Sequence, residues 1–415
     1  MGNQDFSRRK FVSLMTGLPA LTQLPVQSTI PSFTGTFPAK QLFEIKGNYL
    51  NAAYTHPMSI GSRAEINRFL NDRMQNKKEA PGYDAFERAE VAASFAQLIN
   101  ADPSEIAWIP STMYGENMVV NGLSLPGTTE SIVTDGFHFH GSLHLYNQLA
   151  ASGNKVTVVK PRNNQIDLNE LDQAIKPSTK LVALSLVSAT TGFQHSLKEV
   201  CKLAHAKGAL VYADIIQAAG AIPIDVKDTN VDFCACATYK WLMGDFGIGF
   251  LYVKKDLLPM MKRMAIGYRQ MTNEVSHVLP FDTPGSTSFD SEARQDMSGH
   301  FEVGTFANSG IAALRYSLQL LHSLGVSNIA AYRQPLINKL QNEIAGGRFI
   351  PLTLKETEGP IVCFAFKDAG KLLKPALEKE GINISVYDHM IRISPSFYNS
   401  ATEIDQLIAV LKKYQ

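Results

Sequence analysis

The chain has 415 residues, 45% of them hydrophobic, and its 39 basic and 38 acidic side chains leave a formal charge of +1. That length suffices for two domains around a large buried core, and the near balance of charge leaves no basic excess to engage nucleic acid. Nowhere do about 18 uninterrupted apolar residues occur, so stable membrane insertion is not expected either.

Near the start stands Ser7-Arg8-Arg9-Lys10-Phe11-Val12, followed by a mildly apolar stretch over residues 12–21. This resembles the twin-arginine export motif, which would place a folded protein in the periplasm. A disordered basic arm is the other reading; it would leave the protein cytoplasmic, and no clear Ala-x-Ala cleavage site follows. Residues 1–30 are therefore set aside from the fold. Residues 31–61 read as an N-terminal arm and loop, in which Tyr54 and His56 are candidates either to reach a substrate or to pack. Helical periodicity and a heavy charge load over residues 63–100 predict surface helices.

A short strand, residues 105–110, runs into Ser111-Thr112-Met113-Tyr114-Gly115-Glu116-Asn117 and an apolar helix over 118–125. A strand, a turn of small residues and a helix N-terminus together offer an anion cradle of backbone N–H groups; a plain Ser or Thr N-cap looks the same locally. The next strand, 132–135, leads into a segment carrying His138, His140 and His144. Strands at 155–159 and 181–187 alternate with helices at 167–175 and 197–206, the second closed by Gly208. Residues 210–213 then deliver Asp214 to the end of a strand, and the apolar run 231–237 stops just before Lys240. Open α/β sheets bind ligands at that edge. A pyridoxal phosphate enzyme needs such a pair: an amine to form a Schiff base with the cofactor aldehyde, and a carboxylate to keep the pyridine nitrogen protonated.

Asp214 is followed by Gln217, Gly220, Pro223 and Asp225, and Lys240 by Gly244, Gly247, Gly249 and Phe250-Leu251-Tyr252-Val253. In these runs the chain resembles the class V aminotransferase family of fold-type I pyridoxal phosphate enzymes, which includes cysteine desulfurases and isopenicillin N epimerase-like proteins. The resemblance covers nearly everything after residue 40. It implies an α/β fold, with a large domain over 62–281 built on a mostly parallel, seven-stranded-type sheet. A linker and a smaller α+β domain, 282–415, follow. By the same resemblance Lys240 is the Schiff-base residue, Asp214 the ring partner, Gln217 a donor to the ring oxygen and Tyr239 a cofactor neighbour. Thr112 and Met113 lie at the phosphate, Met113 where a second Thr is frequent. His138 is implied as the ring that stacks on the cofactor and relays a proton; an alignment shifted by two selects His140.

Further along, Phe301-Glu302-Val303-Gly304-Thr305 is similar to the family's Phe-Glu-x-Gly-Thr, whose Thr reaches the cofactor phosphate of a neighbouring subunit. That implies a homodimer with shared active sites. Read locally, Gly304-Thr305 could equally cap a helix over 309–324. Arg392 corresponds to the arginine that grips a substrate carboxylate, a task its planar fork suits. Ala189 departs from the family's usual Asn, and residues 283–295 read as an aperiodic loop.

The implied activity is that of a class V aminotransferase-like enzyme acting at the α-carbon of a small molecule bearing an amino group, with pyridoxal 5'-phosphate as cofactor. Epimerisation, C–S lysis and a non-catalytic homologue that binds the cofactor are the alternatives. Cysteine desulfuration is disfavoured, because residues 381–391 hold no cysteine. Cys201, Cys234, Cys236 and Cys363 lack paired zinc-ligand spacing. Asp245-Phe246-Gly247 lacks the other kinase motifs, and no Gly-x-Ser-x-Gly elbow occurs.

Overall fold

The computed structural model describes residues 36–75 and 85–415; the twin-arginine-like segment lies outside them. A first short strand, β1 (Asn48–Tyr49), is followed by helices Ile60–Met74 and Ala85–Leu98. Seven strands then form one sheet: β2 (Ile106–Ile109), β3 (Ser131–Asp135), β4 (Lys155–Val159), β5 (Thr179–Ser185), β6 (Leu210–Asp214), β7 (Phe233–Ala237) and β8 (Gly249–Val253). Their order is β2-β8-β7-β6-β5-β3-β4. The pairings from β4 through β7 are parallel, whereas β8 runs antiparallel to both β7 and β2. Strands buried on both faces read as unbroken apolar runs, and β7 and β8 are buried at every position.

Most predicted boundaries lie within a few residues of the observed ones. The helix expected over 118–125 is the main exception: it spans Thr112–Gly122, because Ser111 caps it by accepting from the Tyr114 N–H at 3.2 Å. The run read as a turn is its first turn. Its Gly115 has a packing reason, since a Cβ there would come within 2.7 Å of Ile109 and 2.9 Å of Ala235. A side chain would lift the helix off the sheet and carry its N-terminus away from the sheet edge.

Within the loop expected over 283–295, five residues form one strand of an antiparallel ribbon. Strand β9 (Met271–Ser276) pairs with β10 (Phe289–Ala293), with a register shift between Asp290 and Glu292. All five residues of β10 are exposed, so no buried face imposes the alternation that would have marked it. The helix Asn308–Leu324, assigned by sequence to the C-terminal part, packs against Ile60–Met74 and Ala85–Leu98. Ser317 meets the Ser62 hydroxyl at 2.8 Å and donates to the Met243 carbonyl at 2.9 Å.

The remaining chain builds a second core around an antiparallel sheet of β11 (Ile350–Pro351), β12 (Val362–Ala365), β14 (Ser385–Val386) and β15 (Met390–Ile393), in the order β11-β12-β15-β14. Strand β13 (Ile382–Asn383) pairs in parallel with β1, so the N-terminal arm is stitched into the C-terminal region. Helices Val326–Ile344 and Ala401–Leu411 cover this core; the second begins in a capping box between Ser400 and Glu403. No helix among the described residues is long and apolar enough to cross a membrane.

Candidate active site

Strands β2, β3, β5, β6 and β7 end on one edge of the large sheet, and the chemistry gathers there. Asp214, the last residue of β6, is 4% exposed. One carboxylate oxygen accepts from the Ile216 N–H at 2.9 Å, and the other from the Ser185 hydroxyl at 3.5 Å. Burial pushes its carboxyl up to about 6, with the Ile216 N–H and His138 pulling the other way.

Lys240 follows β7 and is 8% exposed. Burial brings its amine down to about 8; Asp214 opposes that shift and Arg392 adds to it. Among the described residues no carboxylate lies within salt-bridge distance of its Nζ, Asp214 acting on it only at longer range. A buried lysine so placed spends a larger fraction of its time as the neutral, nucleophilic amine. Gly220, at φ +87°, lets the loop after Asp214 come against the Trp241 carbonyl, where a Cβ would sit 2.6 Å away. That close approach locks the acid-bearing segment to the amine-bearing one.

Thr112 buries its hydroxyl against β7, where it accepts from the Ala237 N–H at 2.9 Å. The Thr112 and Met113 backbone N–H groups lie in the first helical turn, where no intrahelical partner exists, and they face the dipole's positive end. The Met113 sulfur lies 3.5 Å from the Ser142 oxygen. Gln217 donates one amide N–H to the Ala53 carbonyl at 3.0 Å and accepts from the Trp241 indole at 2.9 Å. Tyr239 stacks on Phe246 with centroids 4.6 Å apart, and the Lys240 amine sits 5.7 Å from the Tyr239 ring centre.

Arg392, on β15, enters from the C-terminal region and is 4% exposed. It donates to the Ala189 carbonyl at 2.8 Å and to the Ser385 hydroxyl at 3.1 Å, while its Nε is buried with no partner. A guanidinium buried without a carboxylate is costly unless an anion arrives. Ala189 thus contributes through its backbone. Tyr54, well exposed, lines a cleft of about 460 Å³ together with Asn51, Ser385 and Tyr387, on the side where Ser385 holds Arg392.

At three places the geometry separates readings that the sequence left open or misplaced. His56 takes the packing reading. Its Nδ1 faces the Pro57 carbonyl at 2.9 Å, which can only accept, so Nδ1 carries the hydrogen and the Ser396 hydroxyl donates to Nε2 at 2.9 Å. Its ring stacks on Phe397 and meets Tyr398 edge-on, and burial takes it down to about 4. The cavity it borders, about 540 Å³ with Glu44, Arg63 and Phe246, includes neither Lys240 nor Asp214.

His138 offers no free face for stacking. Its side chain is 0% exposed, with Nδ1 on the Ser185 hydroxyl at 2.9 Å and Nε2 on the Glu116 carboxylate at 3.0 Å. His140 is exposed, as the first residue of helix His140–Ala151. Between them Phe139, half-buried, ends the loop beside Gly141, close to the Met113 sulfur. Finally, Gly304 and Thr305 do not cap the following helix, whose N-cap is Ala307. Thr305 is exposed, with its hydroxyl 3.2 Å from that of Tyr268; a single protomer gives it no tie to Asp214 or Lys240.

Sequence reasoning missed Glu116. It is fully buried, and its carboxylate accepts from His138, Ser142 (2.5 Å) and Tyr146 (2.7 Å). The available signal was a carboxylate on the same helical face as Thr112 and Val120, a face otherwise apolar or small.

The family described as Aminotransferase class-V matches residues 71–407. Among curated proteins, an uncharacterized aminotransferase of Bacillus subtilis, YcbU, is 27% identical over 373 residues, covering 90% of this chain and 94% of that protein. A cysteine desulfurase of Escherichia coli is 29% identical over 356 residues, 79% of this chain and 83% of its own length. Among solved structures, the Escherichia coli cysteine desulfurase CsdA superposes with a TM-score of 0.78 at 21% identity, covering 91% of this chain and 98% of that one. The cystine C-S lyase C-DES, solved with its reaction product cysteine persulfide, gives 0.78 at 21% identity, with 88% and 97% covered. These superpositions show that the fold is shared.

Proposed function

We propose that this chain, which belongs to the class V aminotransferase family, acts at the α-carbon of a small amino acid-like substrate that carries both an amino group and a carboxylate. Its cofactor is pyridoxal 5'-phosphate, the cofactor of the family. The residues present suit that group: a buried acid, a buried amine and helix N–H groups on one sheet edge. When bound, the cofactor supplies an electron sink for the pair released at the α-carbon.

The chain's own residues supply the rest. Lys240 would hold the cofactor covalently, Asp214 would keep its ring nitrogen protonated, and the N-terminus of Thr112–Gly122 would receive its phosphate. Gln217 and Tyr239 would flank the ring, and Arg392 would orient the substrate carboxylate through its fork. The reading is carried by the buried Lys240 amine, held near 8 beside the buried Asp214 on the same sheet edge. Purified protein mixed with the cofactor should gain a visible absorbance band and, after borohydride reduction, the cofactor's mass on Lys240. Lys240→Ala should lose both, and an unchanged mass in the wild type would overturn the reading.

Transamination, epimerisation and C–S lysis share this machinery. Against desulfuration stands the state of the thiols: all four cysteines are buried, and burial pushes Cys363 up to about 12, far from a reactive thiolate. Mixing the loaded enzyme with amino donors separates the rest, since transamination leaves the cofactor in its amine form whereas C–S lysis releases pyruvate. A homodimer with Thr305 serving the neighbouring site, and export through Arg8-Arg9, complete the proposal. Sedimentation of the purified protein and fractionation of cells expressing the full chain test them.

A further inference from the structure

We propose that Glu116, His138 and Ser185 form a buried relay that sets the charge of Asp214 from behind, with His138 as a positioning residue held in its cationic form. The inference rests on the reading of Asp214 as the partner of the cofactor ring.

The relay follows from hydrogen counting. Glu116 Oε1 accepts from His138 Nε2 at 3.0 Å and from the Tyr146 hydroxyl at 2.7 Å, and Oε2 accepts from Ser142 at 2.5 Å. A carboxylate with three donors is an ionised acceptor, so Nε2 carries a hydrogen. Nδ1 lies 2.9 Å from the Ser185 oxygen, and that same hydroxyl is placed to donate to Asp214 Oδ2 at 3.5 Å. Ser185 has one hydrogen. If His138 is cationic, Nδ1 donates to Ser185 and the hydroxyl hydrogen goes to Asp214. If His138 is neutral, Nδ1 takes that hydrogen and Asp214 loses its donor. The two arrangements exclude each other, so the protonation of His138 is transmitted to the acid.

The surroundings select the cationic arrangement. Facing the ring are Glu116 from helix Thr112–Gly122, Asp135 from β3, Asp214 from β6 and, 6.0 Å away and roughly parallel, Tyr146 from helix His140–Ala151. Burial disfavours the charge, but Glu116, with Asp214 and Asp135, overrides it and holds the imidazole above its usual value. A pair of buried charges, Glu116 and His138, thereby ends in a neutral hydroxyl aimed at a third.

The test reads ionisation in the full chain, with and without pyridoxal 5'-phosphate. Nitrogen NMR of labelled histidine should show both His138 ring nitrogens protonated at neutral pH; a ring with a bare Nδ1 would overturn the relay. Ser185→Ala, a small change that keeps the Glu116 contact, should raise the titration of the Asp214 carboxyl, followed by carbon NMR, by about one unit, a tenfold change in its ionisation constant. Glu116→Gln should push Asp214 the same way although it does not touch it, and most of that effect should vanish in the Ser185→Ala background. An Asp214 titration unmoved by Ser185→Ala would sink the proposal. These readouts do not require the cofactor. If Asp214→Asn left cofactor affinity and absorbance unchanged, the reading of Asp214 would fail while the relay could still stand.

Discussion

Two regions of this chain lie close together in sequence and obey opposite rules. Strands β6 and β7 and the residues at their sheet edge are largely buried, only the connection around 223–230 reaching solvent, and the acid and amine at that edge are displaced from their ordinary values. The ribbon β9–β10 and its approaches leave Ile266 86% and Phe281 92% exposed. The first region stores free energy in charges that the fold disfavours, the arrangement expected where a ligand relieves the penalty. The second leaves apolar surface in water and stores nothing in the single protomer. Substitution should therefore be expensive for function at the buried edge and cheap for folding in the ribbon.

The sharpest way to break that contrast is at Lys240. Lys240→Met should abolish covalent cofactor binding and lower turnover by about 10³-fold, the scale of losing a positioned acid–base group, measured by borohydride trapping and steady-state kinetics. The same variant should make the cofactor-free protein more stable. Folding brings the amine from 10.5 to about 8, which costs about 3 kcal/mol below pH 8. The unfolded chain binds more protons between those values, so the wild-type penalty shrinks as pH rises from about 8 to 10.5. Denaturant titration at pH 7 and pH 10 should show the gap between wild type and Lys240→Met closing. Loading kinetics should follow the same group, with the rate of cofactor capture rising toward pH 8 and levelling beyond it.

Arg392 probes the edge from the other side. Arg392→Lys keeps the charge but loses the planar fork that spans Ala189 and Ser385. The KM for a carboxylate-bearing substrate should rise about 10- to 100-fold, the worth of one or two charge-assisted hydrogen bonds, with a smaller change in kcat. An unchanged KM would remove Arg392 from the substrate site.

How far the sequence disclosed these features depends on burial. Strands such as β7, with no exposed residue, can only be written in apolar letters, and the acid and amine at the sheet edge stand out against them. The position of His138 was equally visible, but its role was not: a histidine before a helix looks the same whether its ring lies on a cofactor or behind the acid. The partner that decides the matter, Glu116, sits 22 residues earlier and comes within reach only once helix Thr112–Gly122 packs on the sheet. His56 was obscured in the same way, since Ser396 and Phe397 come from the far end of the chain. The β9–β10 ribbon had no signature to read, because a strand exposed on both faces needs no alternation.

That ribbon gives the gentlest prediction. Phe281→Ser removes a side chain that is 92% exposed, so the loss of buried area within one protomer is negligible and folding stability should move by no more than about 0.5 kcal/mol. Val278, Leu279 and Phe281 are nevertheless all exposed within four residues, apolar surface of the kind that can mark an association site. If a second copy covers it, Phe281→Ser should shift sedimentation toward the monomer at low protein concentration while leaving the thermal midpoint at high concentration nearly unchanged. Activity should then fall on dilution in step with dimer loss, because Thr305 reaches no site within its own protomer. A variant that dissociates yet keeps full activity at every dilution would separate the ribbon from catalysis and confine the working site to the buried edge of one chain.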